Sequence, residues 1–166
     1  MLRITTAARL PPGSEGTRVD RMYKCILLPT DGTEFCERAI RHGIGLAKLV
    51  QTKVVGVTVT QPLHSAIPRS LIPKNLAGII HTETVKAADE KLSVVQKLAT
   101  EAGVAVETLR LSNDHPWQAI VDAARDKQCD LIVMASHGRR GVSAFVLGSE
   151  THKVLTHSSI PVLVVR

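Results

Sequence analysis

Aromatic residues are nearly missing from this chain, at 2% of its 166 residues. A core made without them has to come from Val, Ile, Leu and Ala. At 44% hydrophobic residues there is enough of that material for one domain, and the length is short for two. Aliphatic, β-branched runs of this kind suit strands covered on both faces by helices. Cysteine is also scarce. Cys25, Cys36 and Cys129 form an odd set without metal-ligand spacing. Cys25 and Cys129 sit at or just before apolar runs, as reduced structural thiols do, which fits a reducing cytoplasm. No apolar stretch approaches the roughly 20 residues that span a bilayer, so no membrane association is expected.

Several functional signatures are absent. There is no G-x-x-x-x-G-K-[ST] to grip β- and γ-phosphates, and no G-x-G-x-x-G after the first strand. Without G-x-S-x-G, a hydrolase nucleophile elbow is unsupported. The seven histidines show no H-E-x-x-H or Cys/His pattern, and His152 and His157 read as exposed or capping groups near a helix end. Trp117, after Pro116, reads as a packing residue. The net charge of +6 includes +2 from the first 21 residues. What remains would attract a small anion but is too diffuse for nucleic acid, and no basic patch is interleaved with aromatics.

Residues 1–21 stand apart, with Arg3, Arg9, Arg18, Arg21 and a Pro11-Pro12-Gly13 break. They lack the apolar core of a secretory signal. Glu15 and Asp20 spoil a transit-type amphipathic helix. They read as a disordered extension, or as an upstream start added before a natural one at Met22, leaving residues 22–166 as the domain.

Within the domain, hydrophobic periodicity alternates between strand and helix. A strand from Lys24 to Leu28 stops at Pro29. Thr33 then caps a helix with Glu34 and Glu37 in its first turn, running to about Val50. A second strand runs from Lys53 to Thr60, and a helix from His81 to Ala102 stops at Gly103. A third strand runs from Val104 to Leu111, a helix from Pro116 to about Lys127, and a fourth strand from Asp130 to Ala135. The last helix runs from Ser149 to His157, and the last strand from Ile160 to Val165. This order argues an α/β fold: an open parallel sheet with right-handed crossovers and helices on both faces. The long connection from Gln61 to Ile80, with Pro62, Pro68 and Pro73, reads as a lid or binding loop, or hides a short helix after Ser70. Pro161 inside the last strand places that strand at a sheet edge. Its apolar edge needs cover, either from a second copy of the chain around a two-fold axis or from the chain's own helices.

The most informative stretch is LIVMASHGRRGVSAFVLGS, from Leu131 to Ser149. A buried strand, a glycine-bearing loop and a fresh helix N-terminus follow in that order, which leaves unpaired N–H groups where a phosphate can sit. Gly138 and Gly141 permit close backbone approach, and Arg139 and Arg140 suit phosphate oxygens, although turn shaping and solvation explain them too. Ser149 offers a hydroxyl or simply an N-cap. His137 either reaches a bound phosphate or caps the turn. Open parallel sheets bind ligands at strand carboxyl ends where strand order reverses. If the first and fourth strands are neighbours, Asp31 shares that crevice. It could accept from a ribose or amine, hold a metal through water, or serve only as an Asx-turn residue beside Gly32.

These segments together resemble the universal stress protein family: MYKCILLPTDGTE, VVGVTV, DLIVMASHGRRG, LGSETHKVL and IPVLVV, over nearly all of residues 22–166. The resemblance implies a five-stranded parallel sheet in order 3-2-1-4-5, a Rossmann-like, adenine nucleotide alpha hydrolase-like fold. It also implies a homodimer through the last strand. One branch of the family binds ATP or AMP through G-x2-G-x9-G-[ST]. Here Gly138, Gly148 and Ser149 match, and Ala135 stands at the first glycine. By the same resemblance Asp31 and Val57 contact adenine and ribose, with Pro29 and Thr30 shaping that wall. Met134, Ala135 and Gly138 line the ribose-phosphate path. Gly148, Ser149, Glu150 and Thr151 hold the phosphates, with or without Mg²⁺. Ala135 would cost roughly 1–2 kcal/mol if that position needs a positive φ, and only a methyl group if it is extended. The function expected is a cytoplasmic stress-response sensor or switch that binds adenine nucleotide. The alternatives are a slow ATPase, with Asp31 or His137 as base, and a nucleotide-free dimeric scaffold. Nucleic acid is not an expected partner.

Overall fold

The computed structural model describes residues 22–62, 74–137 and 147–166. The expected N-terminal extension therefore lies outside the described residues, as does most of the long connection after the second strand.

Among the described residues five strands and four helices alternate: β1 (Cys25–Pro29), α1 (Glu34–Leu49), β2 (Lys53–Thr60), α2 (Lys74–Ala102), β3 (Val106–Ser112), α3 (Pro116–Asp126), β4 (Leu131–Ala135), α4 (Ser149–His157) and β5 (Val162–Val165). The strands form one parallel sheet in the order β3-β2-β1-β4-β5, the expected α/β architecture.

Alternate residues of each central strand enter different layers. On one face Ile26, Leu28, Val54, Leu131 and Val133 pack with Ile40 and Ile44 of α1 and Val95 and Ala99 of α2. On the other, Leu27, Val55, Val57, Ile132 and Met134 pack with Ile120 and Ala124 of α3 and Val154 of α4. All five residues of β1 and of β4 are buried. That two-sided burial is why these strands read as continuous apolar runs rather than alternating ones. Truncating Ile26 or Leu27, both at 0% exposure, to alanine should cost about 2–5 kcal/mol.

Several boundaries differ from the sequence reading, each for a local reason. β1 starts at Cys25 because the Lys24 N–H leaves the ladder for both carboxylate oxygens of Asp130, at 2.9 Å each. β3 starts at Val106, not Val104, because the Val104 N–H closes the end of α2 on Ala99 O at 2.9 Å. α2 begins at Lys74 rather than His81, so part of the expected loop is helix. Pro161 precedes β5 instead of interrupting it. The Ile160 N–H turns back to Ser158 Oγ at 3.0 Å, while Pro161 O still accepts from Ile132 N at 3.0 Å. The strand is an edge strand all the same.

Thr33 is the N-cap of α1, its hydroxyl accepting from Cys36 N at 3.4 Å. All three cysteines are buried free thiols. Trp117 packs against the core with its ring 4.5 Å from that of His157. No helix among the described residues is long and apolar enough to cross a membrane.

Candidate functional site

The chain crosses from β1 toward β2 and β3, then returns to place β4 on the other flank of β1. At that reversal the loops after β1 and β4 part, and their carboxyl ends border a cleft of about 960 Å³.

The β1 lip is a sequence of short bonds. Thr30 N–H donates to Val57 O at 2.8 Å, which carries the β1–β2 pairing one residue past the strand. The Asp31 carboxylate accepts from Thr33 N at 3.0 Å and from Thr33 Oγ1 at 2.7 Å. Asp31 is therefore an Asx-turn residue that also lines the cleft. Gly32 sits at φ +83°, and a Cβ there would lie 2.8 Å from Lys91 Cγ. The turn thus needs glycine twice, for its left-handed backbone and for the lysine stem crossing it.

Across the cleft, Ala135 ends β4 in extended strand conformation. It is not among the non-glycine residues at positive φ, which among the described residues are Gln51 and Gln128. Alanine at the first glycine position therefore carries no backbone strain. Its methyl is directed into a small cluster with Cys36, Ala39 and Val165. Ser136 Oγ lies 2.9 Å from His137 Nδ1. His137 Nε2 is buried and has no hydrogen-bond partner among the described residues.

Two bonds then seat α4 on the end of β4. Gly148 N–H donates to Ser136 O at 2.8 Å, and Thr151 Oγ1 donates to Ala135 O at 2.9 Å. Gly148 is the N-cap of α4, without a side-chain cap. A Cβ at Gly148 would sit 3.2 Å from Ser136 O and 3.5 Å from His137 Cα. This glycine is required by close approach, not by its φ of −58°. The N–H groups of Ser149, Glu150 and Thr151 occupy the first turn, where intrahelical acceptors are lacking and the dipole favours an anion. The side chain of Glu150 turns to α3, accepting from Trp117 N at 2.9 Å and from the Lys153 ammonium at 3.1 Å. Because His115 gives α3 no side-chain cap, Glu150 serves that helix end from a distance. Neither the Glu150 carboxylate nor the Thr151 hydroxyl is thus idle, which leaves the main-chain N–H groups and the Ser149 hydroxyl as the phosphate-type donors here.

Pro29, Thr30, Asp31, Val57, Met134, Ala135, His137, Gly148, Ser149, Glu150 and Thr151 all border this one cleft. Gly138 and Arg139, with Arg140 and Gly141, lie outside the described residues. Sequence reasoning missed Lys91 and Thr84 of α2, Cys36 of α1, and Asp114 and His115 between β3 and α3. The last two were accessible: every strand of a parallel sheet ends at the same edge, so the loop after β3 belongs beside those after β1 and β4. Lys91 was not, because only helix-on-sheet packing brings it over Gly32. Burial raises the Cys36 thiol to about 11, with Asp31 and Thr33 as neighbours. No group of three potential metal ligands occurs among the described residues.

The likeness to known proteins is consistent throughout. Universal stress protein MJ0531 of Methanocaldococcus jannaschii is 33% identical over 148 residues, covering 89% of this chain and 84% of that protein. The solved structure of M. jannaschii MJ0577 superposes with a TM-score of 0.75 at 30% identity, covering 87% of this chain and 96% of that one. A universal stress protein from Archaeoglobus fulgidus, solved in complex with dAMP, shares the fold at a TM-score of 0.64 and 21% identity, covering 87% and 98%. The sequence profile of the Universal stress protein family matches residues 22–166, and with the sheet order and strand-end cleft described above, this chain belongs to that family.

Proposed function

We propose that the cleft binds an adenine mononucleotide, ATP or AMP, and that the chain acts as a stress-response sensor or regulatory switch. One observation carries the reading: the Asp31 turn and the uncapped N-terminus of α4 border a single cleft at the β1/β4 reversal. The first N–H groups of α4 take the phosphates, as helix N-termini do. Asp31 and Val57 meet ribose and base beside Pro29 and Thr30, and Met134 and Ala135 line the path between. His137 Nε2, buried and unpartnered among the described residues, supplies one further contact, and Gly138 and Arg139 are further candidates for phosphate binding by their residue types. The dAMP of the A. fulgidus protein belongs to that protein, and likeness at that identity speaks for the fold alone. Where Mg²⁺ enters, the phosphate oxygens and water hold it, in keeping with its preference for a few ligands beside substrate phosphates.

Hydrolysis is at most slow on this reading. Asp31 is engaged by Thr33, and the candidate base His137 has its Nδ1 beside the neutral hydroxyl of Ser136 and not beside an orienting carboxylate. The chain further pairs with a second copy through β5. Titration calorimetry with ATP·Mg²⁺ and with AMP, beside mass spectrometry of small molecules released on denaturation, tests the proposal. Saturable binding or a released adenine nucleotide supports it. No heat, no thermal shift and no released nucleotide would overturn it in favour of a nucleotide-free scaffold.

A further inference from the structure

A second concavity, of about 540 Å³, lies at the amino ends of the strands, at the sheet edge opposite the cleft. Lys24 precedes β1, Lys53 opens β2, and Lys48 lies in the last turn of α1. All three line the concavity, with no carboxylate in its wall. Six basic side chains elsewhere, Arg38, Arg41, Arg110, Arg125, Lys127 and Lys153, each face an acid. The ammoniums of Lys24, Lys48 and Lys53 make no hydrogen bond or ion pair among the described residues.

Helix ends supply the competing explanation. α1 and α2 both terminate here, and lysines near a helix C-terminus offset its dipole. The magnitudes decide against that as the whole account. Each helix end amounts to about half a negative charge, so two ends offset about one of the three lysines. Four of the terminal carbonyls are moreover closed by the chain itself: Thr52 N donates to Ala47 O at 2.9 Å, Val50 N to Leu46 O at 3.0 Å, Val104 N to Ala99 O at 2.9 Å and Gly103 N to Thr100 O at 3.0 Å. Asp130 is held by the main-chain N–H groups of Lys24 and Cys25 on the β4 side and does not line the concavity. The Thr52 hydroxyl in the floor has no partner among the described residues, but it is fully shielded. Recognition therefore rests on the three ammoniums.

We propose that this concavity is an anion site for a multiply charged phosphate-class oxyanion, separate from the nucleotide cleft. Lysines on flexible stems act as point charges without the bidentate geometry of arginine. They suit a compact ligand of high charge over a planar carboxylate. Two sources share this chemistry, free polyphosphate and the phosphate tail of a nucleotide.

Amide ¹H–¹⁵N spectra of the full chain titrated with tripolyphosphate test it. Saturable shifts at Lys48, Thr52, Lys53 and Gly103 are expected, on a binding curve distinct from any at Asp31 and Ser149. The K24Q/K48Q/K53Q variant should lose about tenfold in affinity at this pole, some 1.4 kcal/mol. Should that variant fail to fold, the single exposed change K48Q should still weaken binding. ATP moving the same four amides while AMP does not assigns the nucleotide tail as a source, and response to tripolyphosphate alone assigns the free anion. Shifts confined to the cleft, or pole shifts unchanged in the lysine variants, would overturn the proposal. Failure of nucleotide to bind the cleft leaves it standing.

Discussion

Thr151, at 4% exposure, hydrogen-bonds through its hydroxyl to Ala135 O at 2.9 Å. The first turn of α4 is thereby locked to the last residue of β4, 16 residues earlier in the chain. Thr151→Val keeps the shape and removes the donor, leaving a buried carbonyl unpaired at about 1–3 kcal/mol. We expect a lower urea midpoint with an unchanged slope, and recovery of most of the loss in Thr151→Ser. A valine variant as stable as the parent would mean that the bond contributes nothing net.

Gly148 separates binding from stability. A valine side chain there meets Ser136 O and His137 Cα, whose distances from a Cβ would be 3.2 and 3.5 Å. Main-chain atoms cannot step aside as a flexible side chain does, so the N-terminus of α4 must move. Gly148→Val should cut adenine-nucleotide affinity about tenfold or more, roughly 1.4 kcal/mol, while its circular dichroism remains that of the parent. Calorimetry on the two proteins checks this. Equal affinity would remove the α4 N-terminus from the phosphate site.

The fold was legible because each central strand is buried on both faces, which writes Ile26–Leu28 and Leu131–Val133 as uninterrupted apolar runs. Proline at 161 correctly marked an edge, though it sits just outside the strand it marks. Strand beginnings were less legible, because they depend on partners far away in sequence, as when Asp130 draws off the Lys24 N–H. The two lips of the cleft were readable from strand ends and glycines. Their internal bonding was not. Nothing in the sequence told the Asx-turn of Asp31 from a ligand contact, or showed that Ala135 directs its methyl toward Cys36 and Ala39. Lys91 reaches the cleft only because α2 packs over Gly32, a distance in three dimensions that no local pattern encodes.

Cys36 ties pH to stability at the cleft wall. Burial raises its thiol from an ordinary 9.0 to about 11, so the folded chain holds this proton where the unfolded chain has released it. The associated stability is complete below pH 9 and declines as pH rises toward 11, by about 2–3 kcal/mol in all. Cys36→Ala removes this dependence and no other. Unfolding free energies of parent and variant should therefore converge between pH 8.5 and 11, with the parent losing more. Parallel curves would contradict a buried, neutral thiol.

Leu163 decides whether the last strand is a protein interface. Among the described residues β5 pairs only with β4, and Leu163 is 42% exposed on it. Unpaired N–H and C=O groups beside an apolar side chain invite a further strand, and lysine is the residue proteins use to refuse one. Within a single chain an exposed Leu163→Lys should change stability by no more than about 0.5 kcal/mol. In a dimer joined through β5 it would set two charges against each other across the two-fold axis. Sedimentation velocity should therefore show a dimer for the parent and a monomer for Leu163→Lys, with little change in the unfolding transition of the monomer. A lysine variant that remains a dimer would place the interface elsewhere, and a parent that sediments as a monomer would leave the β5 edge to solvent.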